Sequence, residues 1–156
     1  MSNTTISVMN YTLEIYLQSA VDQATPMYAR TRQEVDAALD RIIAAAATFN
    51  HNPAMYVVDG LQWNDMPAQE LAMDVDPQAN MAALRYYGPD YEGAQVSLAE
   101  PAPARAPRLY RDIDSATPFP ANAAITLDQL RAAVHEFHES GGHRPTCVEW
   151  QPADGW

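Results

Sequence analysis

The 156-residue chain carries 20 acidic and 9 basic side chains, which gives a formal net charge of −11 at pH 7. A surface of this sign repels a phosphate backbone, which excludes nucleic acid as the expected partner, whereas a basic protein partner is favoured by complementary fields. Solubility alone would also explain the charge. The single cysteine, Cys147, excludes an intrachain disulfide and a metal cage built from several cysteines.

The beginning of the chain is polar. Its first five residues, Met-Ser-Asn-Thr-Thr, lack the basic and apolar segments of a secretory signal. No run approaches the roughly 18 apolar residues that a membrane span needs. We therefore expect a cytoplasmic protein with no membrane partner.

One strand is predicted near the N-terminus. Residues 1–9 are polar, and we expect them to be loose. Within residues 11–18 the apolar side chains alternate, as in a half-buried strand, at Leu13, Ile15 and Leu17. Residues 22–28 contain Pro26 and are predicted to be a connection.

A helix is predicted to follow from a capping box. In Thr31-Arg-Gln-Glu34, the Thr31 hydroxyl and the Glu34 carboxylate can each accept a hydrogen bond from a backbone N–H that lacks a helical partner. The apolar positions that follow recur at helical spacing, at Val35, Leu39, Ile42, Ile43 and Ala46. We expect this face to cover a sheet, and the helix to end near Thr48.

Several strands are predicted in the middle of the chain. Residues 54–58 form the first, and residues 71–75 and 82–87 are expected to pair across the connection 76–80. Residues 95–98 are predicted to be a further short strand.

Turns and a loop interrupt these strands. Residues 88–93 are predicted to be a turn that presents Asp90, Tyr91 and Glu92. Residues 99–108 are rich in proline and alanine, and we expect a loop. Short strands are predicted at 109–113 and 116–119.

The C-terminal part contains a second capping box, Thr126-Leu-Asp-Gln129, and a helix that Gly141-Gly142 ends. Residues 145–151 are predicted to be the last strand. The order of elements predicts one α+β domain over residues 1–156, with an antiparallel sheet packed by two α-helices.

Two features could form a catalytic centre. His135, His138 and His143 lie close in sequence, but His135 and His138 are three positions apart rather than the four that converge on a metal, so we expect a solvated helix face and no metal. Cys147 could act as a nucleophile with one of these histidines, but we expect a small side chain in the core. No cofactor is expected.

Binding signals are stronger than catalytic ones. Tyrosine and tryptophan are enriched at the energetic centres of protein interfaces, and turns on a rigid scaffold often carry binding residues. Tyr86 and Tyr87 are adjacent in a strand, so at most one is expected to be buried against the helices. The predicted partner-binding residues are Trp63, Asp65, Tyr86, Tyr87, Asp90, Tyr91 and Glu92.

Three segments carry a resemblance. They are the helix over 31–47, the segment Leu84-Arg-Tyr-Tyr-Gly-Pro-Asp90, and the last helix with Ser140-Gly-Gly-His-Arg-Pro-Thr-Cys-Val-Glu-Trp-Gln151. Together they resemble immunity protein family one of bacterial polymorphic toxin systems. The resemblance implies an α+β protein that binds and blocks a secreted toxin, often one with a nucleic-acid deaminase domain. Gly142, Pro145 and Trp150 match the family pattern, which implies structural roles for them.

The leading hypothesis is an immunity protein that occludes the active site of a basic toxin domain. The first alternative is a small metal-dependent or cysteine-dependent enzyme that uses His135, His138, His143 or Cys147. The second alternative is an adaptor subunit of another complex.

Overall fold

A computed structural model describes residues 10–89, 91 and 93–153. The segment 1–9, which was predicted to be loose, lies outside the described residues. Asp90, Glu92 and residues 154–156 also lie outside them.

The described residues form two α-helices and twelve short strands. The helices are α1 (Arg32–Ala44) and α2 (Leu127–Glu139). The strands are β1 (Leu13–Tyr16), β2 (Met27–Ala29), β3 (Ala54–Val57), β4 (Gln62–Trp63), β5 (Met66–Pro67), β6 (Glu70–Asp76), β7 (Met81–Tyr87), β8 (Gln95–Leu98), β9 (Tyr110–Asp112), β10 (Thr117–Pro118), β11 (Ile125–Thr126) and β12 (Glu149–Pro152).

Eight strands form one antiparallel sheet in the order β12-β8-β7-β6-β3-β1-β2, and β11 pairs with β7 on the same side as β8. The longest pairing joins β6 to β7, from Glu70 opposite Tyr87 to Asp76 opposite Met81. This hairpin confirms the predicted pairing. Two small hairpins, β4–β5 and β9–β10, stand apart from the main sheet.

Both helices begin where their capping boxes predict. Glu34 N–H donates to the Thr31 hydroxyl at 3.1 Å, and Thr31 N–H donates to the Glu34 carboxylate at the same distance. Thr126 and Gln129 repeat the arrangement at the start of α2. These reciprocal bonds satisfy backbone donors that a helix end leaves without partners.

The sheet has a core on each face. Both helices pack on one face against apolar side chains of the strands, among them Leu13, Ile15, Met55, Leu71 and Leu84. On the opposite face, residues 99–124 cover the region of β7 and β8 through Leu109, Phe119, Ala123 and Ala124. Within the described residues, this second core includes no side chain of β1 or β2. The structure is the predicted α+β domain with two helices on an antiparallel sheet.

The prediction for residues 22–28 was wrong at its end. Met27 begins β2, which pairs with β1 through Ala29 opposite Leu13. A three-residue strand is too short to show a period, and its pairing depends on a partner 12 to 16 positions earlier. The region 99–108 forms neither helix nor strand, as expected.

Candidate partner-binding site

A groove of about 870 Å³ opens between the β4–β5 hairpin and the segment that follows β7. Its lining includes Trp63 and Met66 from the hairpin, with Tyr87 and Tyr91 on the opposite side. We call these four side chains the aromatic groove. Glu70 and Tyr56, from the strands between them, also contribute to the lining.

The aromatic groove concentrates exposed apolar surface. Among the described residues, six large hydrophobic side chains are exposed, and four of them belong to the groove: Trp63 (73%), Met66 (67%), Tyr87 (54%) and Tyr91 (36%). The other two are Val21 and Tyr28. Exposed apolar side chains that cluster in this way mark interaction sites on folded proteins, whereas scattered ones need no explanation.

The hairpin wall is held by hydrogen bonds to its base. Gln69 is buried, accepts a bond from Val57 N–H at 3.0 Å and donates to the Val57 carbonyl at 2.7 Å. Leu61 N–H donates to the Gly141 carbonyl at 2.9 Å, which ties the hairpin to the end of α2. A Cβ on Gly60 would lie 2.0 Å from that carbonyl oxygen, so the close approach requires glycine.

The hairpin was not predicted, although a signal for it exists. Its turn residues, Asn64 and Asp65, both have positive φ, at 52° and 62°. Asn and Asp adopt this conformation more readily than most residues and favour the tight turns of two-residue hairpins. Asp65 is exposed at this tip, beside Trp63, and Met66 is a groove residue that sequence analysis missed.

Tyr86 was predicted to contact a partner, but the structure places it beneath the surface. Its side chain is fully buried, and its hydroxyl donates to the Gly142 carbonyl at 2.8 Å. Its ring makes edge contacts with Tyr91, Phe137 and Trp150 at centroid distances of 6.3, 6.3 and 6.1 Å. Tyr86 therefore supports the groove from below, while its neighbour Tyr87 points to the exposed face, as strand alternation requires.

The other predicted binding residues divide in two. Trp63, Tyr87 and Tyr91 line the groove together, while Asp90 and Glu92 lie outside the described residues. The Arg144 guanidinium lies 4.0 Å from the centre of the Tyr91 ring. This cation–π contact fixes Tyr91 on one side of the groove.

A polar network crosses the sheet beside the groove. The Tyr56 hydroxyl donates to one oxygen of the Glu70 carboxylate, and Arg85 donates to the other at 3.0 Å. Burial, and then the hydrogen bond to Glu70, raise the pKa of Tyr56 above its ordinary value. The phenol therefore stays a donor at neutral pH, and the network is held in place.

The three residues predicted to be structural lie together behind the groove. Gly142 has a φ of 101°, and a Cβ there would lie 2.5 Å from Gln69 Cγ. Trp150 donates from its indole N–H to the Pro145 carbonyl at 2.8 Å. Their contacts connect the end of α2 to Tyr86 and to β12.

The expectation of a solvated histidine face was wrong for two of the three histidines. His135 and His138 are buried, and their Nε2 atoms lie 2.8 Å from Asp36 Oδ1 and 2.6 Å from the Tyr11 carbonyl. The pattern of α2 shows which face meets the sheet, but not that α1 covers its flank. His143 is exposed, and across the described residues no three His, Cys, Asp or Glu side chains are placed to hold a metal ion.

Cys147 was wrongly expected in the core, because its side chain is exposed. It precedes β12, and its N–H donates to Glu136 at 3.1 Å. Partial burial, and then the interaction with Glu136, raise the pKa of the thiol to about 11. A thiol in this environment is protonated at neutral pH and is a weak nucleophile.

Across the described residues, neither helix has the length and apolar character that a membrane span requires.

The comparison with protein families is positive: the model described as Immunity protein Imm1 matches residues 23–152, from before β2 to the end of β12. No curated protein and no solved structure matches the chain. Because the family match covers most of the sequence and confirms the resemblance in the three segments, the chain belongs to the Imm1 family of immunity proteins.

Proposed function

We propose that this protein binds a cognate toxin domain through the aromatic groove and thereby inhibits it. Membership of the Imm1 family suggests inhibition of a toxin. The observation that carries the choice of site is the clustering of Trp63, Met66, Tyr87 and Tyr91, which are four of the six exposed large hydrophobic side chains in the described chain. Aromatic side chains contribute much of the binding energy of interfaces because they bury large areas with few rotatable bonds.

The groove is suited to tight binding because its walls are already ordered. Hydrogen bonds of Gln69 and Leu61 hold the hairpin, while Tyr86 and Arg144 hold Tyr91. An ordered site loses less conformational entropy when a partner binds. The partner-binding role of Asp65, at the exposed hairpin tip, belongs to the same proposal, as do the roles of Asp90 and Glu92.

The proposed partner is a basic domain that acts on nucleic acid, and a deaminase is the toxin type that the family resemblance implies. A net charge of −11 supports this choice, because a cleft that binds nucleic acid is cationic and an acidic inhibitor is attracted to it. Inhibition then follows from occlusion of the toxin active site. Occlusion predicts competition, so the inhibitor should raise the apparent KM for an oligonucleotide without changing kcat.

The test uses the cognate toxin domain, which the family resemblance implies is encoded by a neighbouring gene. We expect wild-type protein to restore growth of cells that express this domain, and Trp63→Ala and Tyr87→Ala to weaken binding by about 30-fold each, equivalent to roughly 2 kcal/mol. Val21→Ala is the matched control, because Val21 is exposed and apolar but lies outside the groove. Failure to restore growth would reject toxin inhibition, and unchanged binding by both groove variants would reject the site.

A further inference from the structure

A row of alternating tyrosine and glutamate side chains crosses the open face of the sheet. The pairings place Glu14 opposite both Tyr28 and Tyr56, and Glu70 opposite Tyr87. The register of β3 with β6 continues from Tyr56 to Glu70, which share a hydrogen bond. We call Tyr28, Glu14, Tyr56, Glu70 and Tyr87 the tyrosine–glutamate row. It spans five adjacent strands, or about 19 Å at the usual strand spacing.

The row lies on the face opposite the helices, and at its middle Tyr56 and Glu70 line a pocket together with Arg111 and Asp112 of the segment 99–124. Tyr28 and Tyr87, at its two ends, are exposed, and the three side chains between them are half-buried. Tyr87 also belongs to the aromatic groove. The row therefore extends the groove from β7 across the sheet to its edge at β2.

The row is ordered before any partner binds. The Tyr28 hydroxyl donates to Glu14 at 3.0 Å, and Tyr56 donates to Glu70. Tyr16, beside the row, makes an edge contact with Tyr56 at a centroid distance of 5.9 Å. Short, stiff aromatic side chains in fixed positions bind with little loss of rotamer entropy.

The two carboxylates of the row differ in how their charge is balanced. Glu70 forms an ion pair with Arg85 at 3.0 Å. Glu14 forms no ion pair within the described residues, where the neutral hydroxyls of Tyr28 and Tyr16 are its side-chain hydrogen-bond partners. A carboxylate flanked by aromatic rings attracts a cation by its charge, and the ring faces add cation–π attraction. Arg144 on Tyr91 is an example of such stacking within this chain.

We propose that the tyrosine–glutamate row is a second contact region for the toxin, in which an arginine or lysine side chain binds Glu14 between the rings of Tyr28 and Tyr56. This inference rests on the proposed function and defines the chemistry of the partner. The proposed occupant is a cationic surface of the toxin, because the chain as a whole is acidic and Glu14 has no ion-pair partner among the described residues.

The test compares Glu14→Gln with Glu139→Gln. Glu139 is an exposed carboxylate on α2 that pairs with Arg32 at 2.5 Å, and its substitution removes one negative charge from the helical side of the molecule. Two probes are used at several salt concentrations: the cognate toxin domain, and an octa-arginine peptide. We expect Glu14→Gln to weaken toxin binding by about tenfold and peptide binding by about fivefold, and Glu139→Gln to change either by less than about twofold.

A second pair of variants tests the ring. Tyr28→Ala should weaken binding of the toxin domain by about tenfold, while Tyr28→Phe, which keeps the ring, should stay within about threefold of wild type. Urea unfolding of each variant separates loss of binding from loss of fold. If the wild-type protein binds the toxin but Glu14→Gln and Glu139→Gln weaken binding equally, the proposed contact at the tyrosine–glutamate row is rejected, while the proposed function stands. If the wild-type protein neither binds nor neutralises the toxin, the proposed function is rejected. In that case the peptide still tests the row, because equal peptide binding by Glu14→Gln and Glu139→Gln would reject the proposed contact region.

Discussion

The Tyr86 hydroxyl donates a 2.8 Å hydrogen bond to the backbone carbonyl of Gly142, 56 positions further along the chain. This bond joins the centre of the sheet to the turn that ends α2. Gly88 also packs against Tyr86, because a Cβ there would lie 2.2 Å from the hydroxyl oxygen. The buried Tyr86 side chain thus contacts both the turn that ends α2 and the segment that follows β7, which lines the groove.

The first prediction concerns the stability that Tyr86 provides. Tyr86→Phe should lower the free energy of unfolding by about 1–2 kcal/mol, because the buried Gly142 carbonyl loses its donor. Tyr87→Phe is the matched control and should change it by less than about 0.5 kcal/mol, because Tyr87 is exposed. Urea denaturation measures both. Equal effects of the two substitutions would show that the buried bond does not stabilise the fold.

The second prediction concerns the glycine that accepts this bond. Gly142→Ala should destabilise the protein by at least about 2 kcal/mol, because alanine meets both a positive φ and the Gln69 side chain. Gly93→Ala isolates the backbone effect, since Gly93 has a φ of 77° and open space around it. We expect about 1 kcal/mol there. Similar losses in thermal unfolding would mean that contact with Gln69 has no effect.

The third prediction concerns acid unfolding. The hydrogen bond with His135, and then that with Arg131, lower the pKa of Asp36 below its ordinary value of 3.8. A lowered carboxylate pKa stabilises the fold above the unfolded-state value, and this contribution is lost as pH falls through the folded-state pKa. Asp36→Asn should therefore be less stable than wild type at pH 7, with a difference that shrinks below about pH 4.

Urea midpoints at a series of pH values measure this effect. Asp114→Asn is the control, because Asp114 is exposed and its carboxylate forms no ion pair in the described portion of the chain. Its curve should run parallel to that of wild type. A constant difference between Asp36→Asn and wild type from pH 7 to pH 2.5 would contradict the assignment.

The fourth prediction concerns Cys147. With a thiol pKa of about 11, about one thiol in a thousand is ionised at pH 8. Iodoacetamide should therefore react slowly with Cys147 despite its exposure, and Glu136→Gln should accelerate the reaction because it removes the neighbouring negative charge. Cys147→Ser should neutralise the toxin as well as wild type. Rapid alkylation of the wild-type protein at pH 8 would contradict the raised pKa.

Local chemistry made much of the fold predictable. Thr31 and Glu34, and Thr126 and Gln129, are only three positions apart, so each capping box can be recognised within four residues. The β6–β7 hairpin was also predictable, because a short connection brings neighbouring segments together.

The errors arose where distant segments decide the environment. The local sequence does not show which of Tyr86 and Tyr87 is buried. Tyr86 is the buried one because Gly142 and Trp150, which are distant in the sequence, lie beside it. The environment of His135 depends on α1, where Asp36, 99 positions away, lies beside it. The alternation in β1 does predict that Glu14 points away from the helices. The tyrosines on either side of it depend on the pairing of β1 with β2 and β3, which no local pattern reveals.

Hydroxyl-radical footprinting of the complex with the cognate toxin domain tests the central claim most directly, since Trp, Met, Tyr and Cys side chains are all oxidised readily when exposed. We predict that complex formation protects Trp63, Met66 and Tyr87, while Cys147, which is exposed and lies outside the groove, is oxidised as in the free protein. Unchanged oxidation of the three groove residues in a complex that still inhibits the toxin would contradict the account.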